Sequence, residues 1–153
     1  KDLLQQVKDP EIPTISLIDL GVITHINIDD QQCVSIKMTP TFSGCPAMDY
    51  MKNNVEEVLT ESGIDSFLVE MNYETQWSSN NITPRGLNDI KKHGLAPPPK
   101  HDLIIDIDLI KRVTCPHCNS DDTSLKSPFG PTLCRSLHYC NSCLQAFEQF
   151  KPI

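Results

Sequence analysis

The chain has 153 residues, 39% of them hydrophobic, and a formal net charge of −7. This length suits one medium domain, or a domain with a small module attached. The acidity lies in residues 1–99, which hold 14 acidic and 7 basic side chains, whereas residues 100–153 hold 6 of each. Because nucleic-acid binding needs a basic surface, we expect no nucleic-acid partner. No apolar run approaches the roughly 20 residues of a membrane span, and no apolar signal segment opens the chain, so we expect no membrane association and a cytoplasmic location.

The first predicted element is a short helix, because Leu3, Leu4 and Val7 have helical spacing. The prolines of "DPEIP" at 9–13 end it, since each restricts its own backbone and that of the preceding residue. Residues 15–28 then predict a turn that leads into a strand. The next strand alternates apolar and polar residues, and the two predict a hairpin. The residues expected on one face of that second strand are Val34, Ile36 and Met38.

A second helix is predicted from about Pro46 to Ser62, with an apolar stripe that begins at Met48 and Met51. Pro46 suits the first helical turn, where no N–H donor is needed, and Gly63 is a natural stop. Cys45 would therefore occupy the N-cap of this helix.

The pattern then predicts a third strand and a third helix. The strand is expected to place Phe67, Val69, Met71 and Tyr73 on one face. The helix is expected to start at Thr83 and Pro84 and to stop at Gly94. The order helix, hairpin, helix, strand, helix predicts an α+β fold, a small mixed sheet packed with helices. We expect this domain to span residues 1–95, followed by a Pro-rich linker over 96–110 and a cysteine-rich module over 111–153.

Four cysteines in that module have the spacing of a zinc site. "CPHC" at 115–118 and "CNSC" at 140–143 are separated by 21 residues, and each pair can form a tight turn that directs two thiolates at one ion. The alternatives are two disulfides or a redox pair, but no βαβ pattern accompanies these cysteines. Four thiolates would leave no position for substrate water, so the zinc would be structural. The predicted ligands are Cys115, Cys118, Cys140 and Cys143.

Other residues of the module are expected to have packing roles. If "LCRSLHYC" is a strand, Cys134 lies about 20 Å along it from Cys140 and cannot share the zinc ion. Phe147 and Phe150 are expected to cover the small core of the module.

Trp77 belongs to the first domain and lies beside the third strand. It is either a core residue or an interface anchor.

Cys45 has three interpretations. It is a partly buried capping residue, a nucleophile, or a ligand that handles a metal. Unpaired N–H groups and the helix dipole at a helix N-terminus favour a thiolate. A catalytic thiol also needs a base, and nothing in the sequence places the candidate, His25, near it. A lone thiolate with a carboxylate such as that of Asp19 could hold iron or a cluster transiently, with further ligands from a partner.

Three motifs resemble those of the SufT-like family of iron–sulfur assembly proteins. They are "DPEIP" at 9–13, "DLG" at 19–21 and "TPTFSGCP" at 39–46. The resemblance covers about residues 1–75. It implies that Cys45 is the family's reactive cysteine and that Asp19 is the aspartate of its other motif.

The later residues resemble the PaaD family, the accessory proteins of the multicomponent phenylacetyl-CoA epoxidase of aerobic phenylacetate degradation. The segments that carry this resemblance are "QW" at 76–77, "ITPRGLNDI" at 82–90, "GLAPP" at 94–98 and the terminal four-cysteine ribbon. It implies a protein that is not itself an enzyme and that assists assembly of an iron or iron–sulfur centre. Its partners would be the oxygenase or reductase components, and its cofactors a structural zinc and a transient iron or iron–sulfur cluster. The alternative is a non-catalytic structural subunit of the oxygenase complex.

Overall fold

The structure is a computed structural model that describes residues 1–42, 44–102 and 108–153. Part of the predicted linker, residues 103–107, therefore lies outside the described residues. The strands are β1 (Ile23–Ile28), β2 (Val34–Met38), β3 (Phe67–Met71), β4 (Thr123–Ser127), β5 (Arg135–Cys140) and β6 (Ala146–Phe150). The α-helices are α1 (Met48–Glu61), α2 (Pro84–Lys92) and α3 (Asp108–Lys111), and two 3₁₀ helices span Leu3–Gln6 and Ser79–Asn81.

The first sheet is mixed, with the strand order β1-β2-β3. β1 and β2 form the predicted antiparallel hairpin, and β2 and β3 are parallel. Parallel neighbours need a crossover connection, which α1 supplies. The α+β prediction is confirmed.

The core of this domain lies between the sheet and α1. Val34, Ile36 and Met38 of β2 are buried as the alternation predicted. The predicted stripe of α1 is buried as well, through Met48, Met51, Val55 and Leu59. These residues belong to one hydrophobic cluster, so packing of the amphipathic helix on the sheet accounts for the local fold.

The start of α1 differs from the prediction. The helix begins at Met48 with Ala47 as N-cap, so Cys45 lies before the cap and not at it. The carbonyl of Ala47 accepts the first α-helical bond, from the N–H of Met51 at 2.9 Å. Cys45 belongs to the preceding turns, since its N–H donates to the carbonyl of Phe42 at 3.0 Å. The predicted N-cap position of Cys45 is therefore wrong, and with it the expectation that the helix end ionises this thiol.

Two other elements are shorter than predicted. The first helix is a single 3₁₀ turn, although Leu4 and Val7 are buried as the pattern indicated. β3 ends at Met71, which pairs with the last residue of β2, Met38. Tyr73 therefore lies beyond the sheet, is 66% exposed, and is not on the buried face.

The second sheet is antiparallel, with the order β4-β5-β6, and carries the cysteine-rich module. Its last strand contacts both parts of the protein. Phe147 lies in the small core of the module, but Phe150 belongs to the core of the first domain. The expectation that both rings cover the module is therefore wrong for Phe150. Residues three apart on a strand point to opposite faces, which is the physical reason.

Candidate functional site

The four predicted metal ligands lie together. The Sγ atoms of the group are all within 4.8 Å of one another. Those of Cys115 and Cys143 are 3.8 Å apart, and those of Cys118 and Cys140 are 3.5 Å apart. A tetrahedron with metal–sulfur bonds of about 2.3 Å has edges of about 3.8 Å, so this group can hold a metal ion with little movement.

Two turns of matching conformation present these sulfurs. The residue after each C-x-x-C pair has a positive φ, 59° at Asn119 and 60° at Leu144. In each turn that residue donates its N–H to the carbonyl of the first cysteine of its pair, at 3.0 Å. Left-handed backbone is unusual for residues other than glycine. Its occurrence at equivalent positions of both pairs indicates a geometry built around the sulfurs.

The sulfur of Cys140 has local support for the ionised form. The N–H groups of Cys143 and Ser142 lower the pKa of Cys140 to about 7, whereas burial and the neighbouring sulfurs raise the pKa of Cys143. Backbone N–H groups favour the thiolate in this way because they stabilise its charge. The donor set is four soft sulfurs within 4.8 Å of one another, which fits zinc. All the cysteines of the chain lie among the described residues, and none of them forms a disulfide, so the disulfide alternative is not supported.

Cys45 lies half-buried at a separate cavity of about 310 Å³. Burial raises the pKa of its thiol above the ordinary value, although the N–H of Ala47 acts in the opposite direction. The structure thus places Cys45 in an environment that favours the neutral thiol. The sequence pattern predicted the reverse, an ionised thiolate.

The cysteine-rich module also contributes residues to the lining of this cavity. Cys134, which precedes β5, lines the cavity with Gly130, Pro131, Thr132 and Leu133. Cys134 is not a member of the four-sulfur group. The sequence predicted that Cys134 lies outside the zinc site and has only a packing role. The sequence has no signal that Cys134 lines the same cavity as Cys45, because the two are 89 residues apart in the numbering.

Asp19 is buried, and its carboxylate is bound by neighbouring side chains. Its carboxylate accepts hydrogen bonds from Ser16 Oγ at 2.7 Å and from Thr83 Oγ1 at 2.8 Å, and Arg85 Nε lies 3.6 Å away. Thr83 is the N-cap of α2, so Asp19 attaches that helix to the turn before β1. Close approach requires Gly86, because a Cβ there would lie 2.6 Å from the carbonyl oxygen of Asp19.

The structure does not bring Asp19 into the cavity that Cys45 lines. The described lining residues also include no histidine, and His25 instead lines a different cavity with Ile23 and Thr83. Among the described residues that line the Cys45 cavity, the acidic one is Glu11, in the "DPEIP" segment. Asp19 as a functional residue stays a prediction.

None of the helices in the described part of the chain is both long enough and apolar enough to cross a membrane.

Two family models match the two parts of the chain. Residues 1–64 match the iron–sulfur cluster assembly protein family, and residues 106–151 match the PaaD zinc beta ribbon domain. A relative from Escherichia coli (strain K12) is 35% identical over 151 residues, which cover 99% of this chain and 90% of the relative. Its name assigns it, provisionally, to 1,2-phenylacetyl-CoA epoxidase as one of the subunits.

The chain belongs to the PaaD family. The resemblance inferred from the motifs is confirmed. One chain contains both the iron–sulfur assembly domain, matched over residues 1–64, and the zinc ribbon, matched over residues 106–151.

Two further comparisons concern the first domain of this PaaD-family protein. A protein of Porphyromonas gingivalis (strain ATCC BAA-308 / W83) is 27% identical over 89 residues, which cover 58% of this chain and 84% of the relative. It is named an Fe-S protein maturation auxiliary factor. A crystal structure of a domain of unknown function from Bacillus anthracis superimposes with a TM-score of 0.54 at 23% identity, covering 58% of this chain and 85% of the other. The latter likeness shows the shared fold alone.

Proposed function

We propose that this protein is an accessory maturation factor of the phenylacetyl-CoA epoxidase. It assists assembly of an iron or iron–sulfur centre in the oxygenase or reductase component and is not itself an enzyme. The similarity over almost the whole chain to a protein named as an epoxidase subunit supports the client. The match of residues 1–64 to an iron–sulfur assembly family supports the task.

The observation that carries this proposal is the placement of Cys45. Its thiol lies half-buried at the wall of a cavity, where a soft metal ion has access to it. A nucleophilic enzyme would need a base close to that thiol, and none of the described residues lining the cavity is a histidine. Metal or cluster transfer needs only a thiol that can lose its proton as the metal binds.

The four-sulfur group has a separate task. Its residues would hold zinc, which supplies the folding free energy that a module of this size lacks. The four sulfurs would fill all four positions of a tetrahedral zinc ion. The ribbon therefore shapes and positions the protein and does no chemistry at the zinc. Cysteines without disulfides are consistent with action in the reducing cytoplasm.

A second candidate function is a non-catalytic structural subunit of the oxygenase complex. The name of the Escherichia coli relative, which calls it a subunit, favours this alternative. In that case Cys45 would only pack against the hydrophobic core and would bind no metal.

The test is reconstitution of the epoxidase with and without this protein. The oxygenase and reductase components are purified from cells that contain the wild type, the Cys45→Ser variant, the Cys33→Ser variant or no accessory protein. Iron content and epoxidation rate are then measured for each component. Cys33 is the matched control, since it is also half-buried but lies outside the cavity.

The proposed function predicts low iron and low activity without the protein and with Cys45→Ser, and full values with Cys33→Ser. Equal iron and activity in all preparations would exclude a maturation role. Full iron but failed assembly of the complex without the protein would favour the structural subunit.

A further inference from the structure

The cavity at Cys45 is built from both domains. The first domain supplies the loop that carries Thr41 and Phe42, together with Cys45, and the ribbon supplies residues 130–134. Two thiols from distant parts of the sequence therefore line one cavity of about 310 Å³. Free cysteines are usually small hydrophobic filler, but that role does not require two of them to share an open space.

Several contacts hold the ribbon loop in this position. Arg135, next to Cys134, is buried and contacts Glu11 of the first domain through its carboxylate at 3.4 Å and its carbonyl at 3.3 Å. The same guanidinium bonds Glu148 of β6 at 2.9 Å. The N–H of Lys151 donates to the carbonyl of Cys134 at 2.9 Å. Cys134 is thus bound to its own module through its carbonyl, and Arg135 connects that module to Glu11, which lines the same cavity.

The two thiols also interact electrostatically. Burial is the main cause that raises the pKa of each, and a negative charge on Cys134 raises that of Cys45 further. The pair therefore favours the neutral thiols. A divalent cation reverses this preference, because it is attracted to both sulfurs and displaces their protons.

We propose that Cys45 and Cys134 together form a dithiol site for a divalent, thiolate-seeking cation, with ferrous iron as the cargo. This inference rests on the proposed function and adds to it a ligand from the ribbon. Each sulfur exchanges a proton for a bond to the ion, and two protons leave to solvent, so no oxidant or reductant is needed. Glu11 also lines this cavity. Two thiolates leave other coordination positions open, through which a client could take the ion.

The experiment is an anaerobic cobalt(II) titration of the full chain with zinc already in the ribbon. Cobalt(II) reports thiolate ligation by its charge-transfer absorption, and it binds more weakly than zinc, so the ribbon stays filled. The titrated proteins are the wild type, Cys45→Ser, Cys134→Ser and Cys33→Ser, each checked for zinc content. Wild type and Cys33→Ser should show the same thiolate–cobalt band. Cys45→Ser and Cys134→Ser should each bind cobalt more weakly by at least the roughly 10–100-fold that even an outer-shell change costs.

A wild-type band that persists unchanged in Cys134→Ser overturns the proposal, and so does the absence of any band in the wild type. A second measurement uses the unmodified chain and so avoids any folding defect of a variant. Phenylarsine oxide binds two neighbouring sulfurs through one arsenic atom, and mass spectrometry should find that bridge between Cys45 and Cys134. Arsenic on single cysteines only would also overturn the proposal.

These results separate the site from the proposed function. If cobalt binding needs both cysteines but the protein has no effect on the iron content of the epoxidase, the result supports the dithiol site and excludes the maturation role. If the iron content of the epoxidase depends on Cys45 but is unaffected by Cys134→Ser, the result supports the maturation role and excludes the dithiol site.

Discussion

The indole ring of Trp77 packs against the phenyl ring of Phe150, with ring centroids 5.9 Å apart and planes tilted by 56°. Trp77 comes from the first domain and Phe150 from the last strand of the ribbon. The indole N–H donates to the carbonyl of Leu20 at 3.2 Å, so the ring is a satisfied core residue. The C-terminal strand therefore completes the core of the first domain, and the two modules stabilise each other.

This contact predicts that Phe150→Ala destabilises the whole protein. Loss of a buried phenyl ring costs about 3–5 kcal/mol of unfolding free energy. Trp77 is the single tryptophan of the chain, so its fluorescence during urea denaturation measures the effect. Phe129→Ala is the control, because Phe129 is 67% exposed. Equal denaturation midpoints for the two variants would show that the ring contact does not stabilise the core.

Removal of one zinc ligand should unfold the ribbon. Cys118 is exposed, so Cys118→Ser removes a ligand with little loss of packing. We expect the variant to lose its zinc, and the strands β4–β6 to exchange their amide protons rapidly, because the metal supplies much of the folding free energy of the module. Metal analysis and hydrogen-exchange mass spectrometry measure both effects. A Cys118→Ser protein with full zinc and protected strands would contradict the four-sulfur assignment, and Cys33→Ser serves as the control.

Asp19 should stabilise the fold in a pH-dependent way. Burial alone would raise the pKa of its carboxyl, but the hydrogen bonds from Ser16 and Thr83 and the charge of Arg85 outweigh burial and lower it. A lowered native pKa stabilises the protein above the unfolded value of about 3.9, and this contribution is lost as the pH falls through the native value. Asp19→Asn should therefore cost roughly 1–3 kcal/mol at pH 7 and much less near pH 3.

Urea denaturation from pH 3 to pH 7 measures this difference. Asp65→Asn is the control, since Asp65 is exposed, and acid release of zinc affects all three proteins alike. A constant difference between wild type and Asp19→Asn at every pH would contradict a titrating contribution from Asp19. Wild-type stability in Asp19→Asn with failed epoxidase maturation would instead assign Asp19 a functional role.

Cys45 should be slow to alkylate at neutral pH. Burial raises the pKa of its thiol, and only the thiolate attacks iodoacetamide. The rate at Cys45 should be below that of a cysteine in an unstructured peptide at pH 7. It should rise about tenfold per pH unit well past the pH at which the peptide rate levels off. Mass spectrometry of timed samples gives the rate at this site. A rate that is already maximal near pH 7 would show that Cys45 is an ionised thiolate.

Local patterns were sufficient for the elements with strong periodicity. The stripe of α1, the alternation of β2 and the Thr83 N-cap of α2 were all predicted, because each depends on neighbouring residues in the sequence. The two C-x-x-C pairs predicted a metal group for the same reason, since each pair forms its own turn. The predicted end of β3 was wrong, because the last paired residue of this strand depends on the length of its neighbour β2.

The sequence by itself determined the α+β fold, the four sulfurs that would hold zinc, and Cys45 as the thiol to consider. Only the tertiary structure decided what surrounds that thiol. In the structure Cys45 lies before the helix cap, Asp19 is hydrogen-bonded to Ser16 and Thr83, and Cys134 lines the same cavity as Cys45. The physical reason is that spacing along a chain reports neighbours within a turn or strand, whereas burial, pKa and contacts between domains depend on residues far apart in sequence.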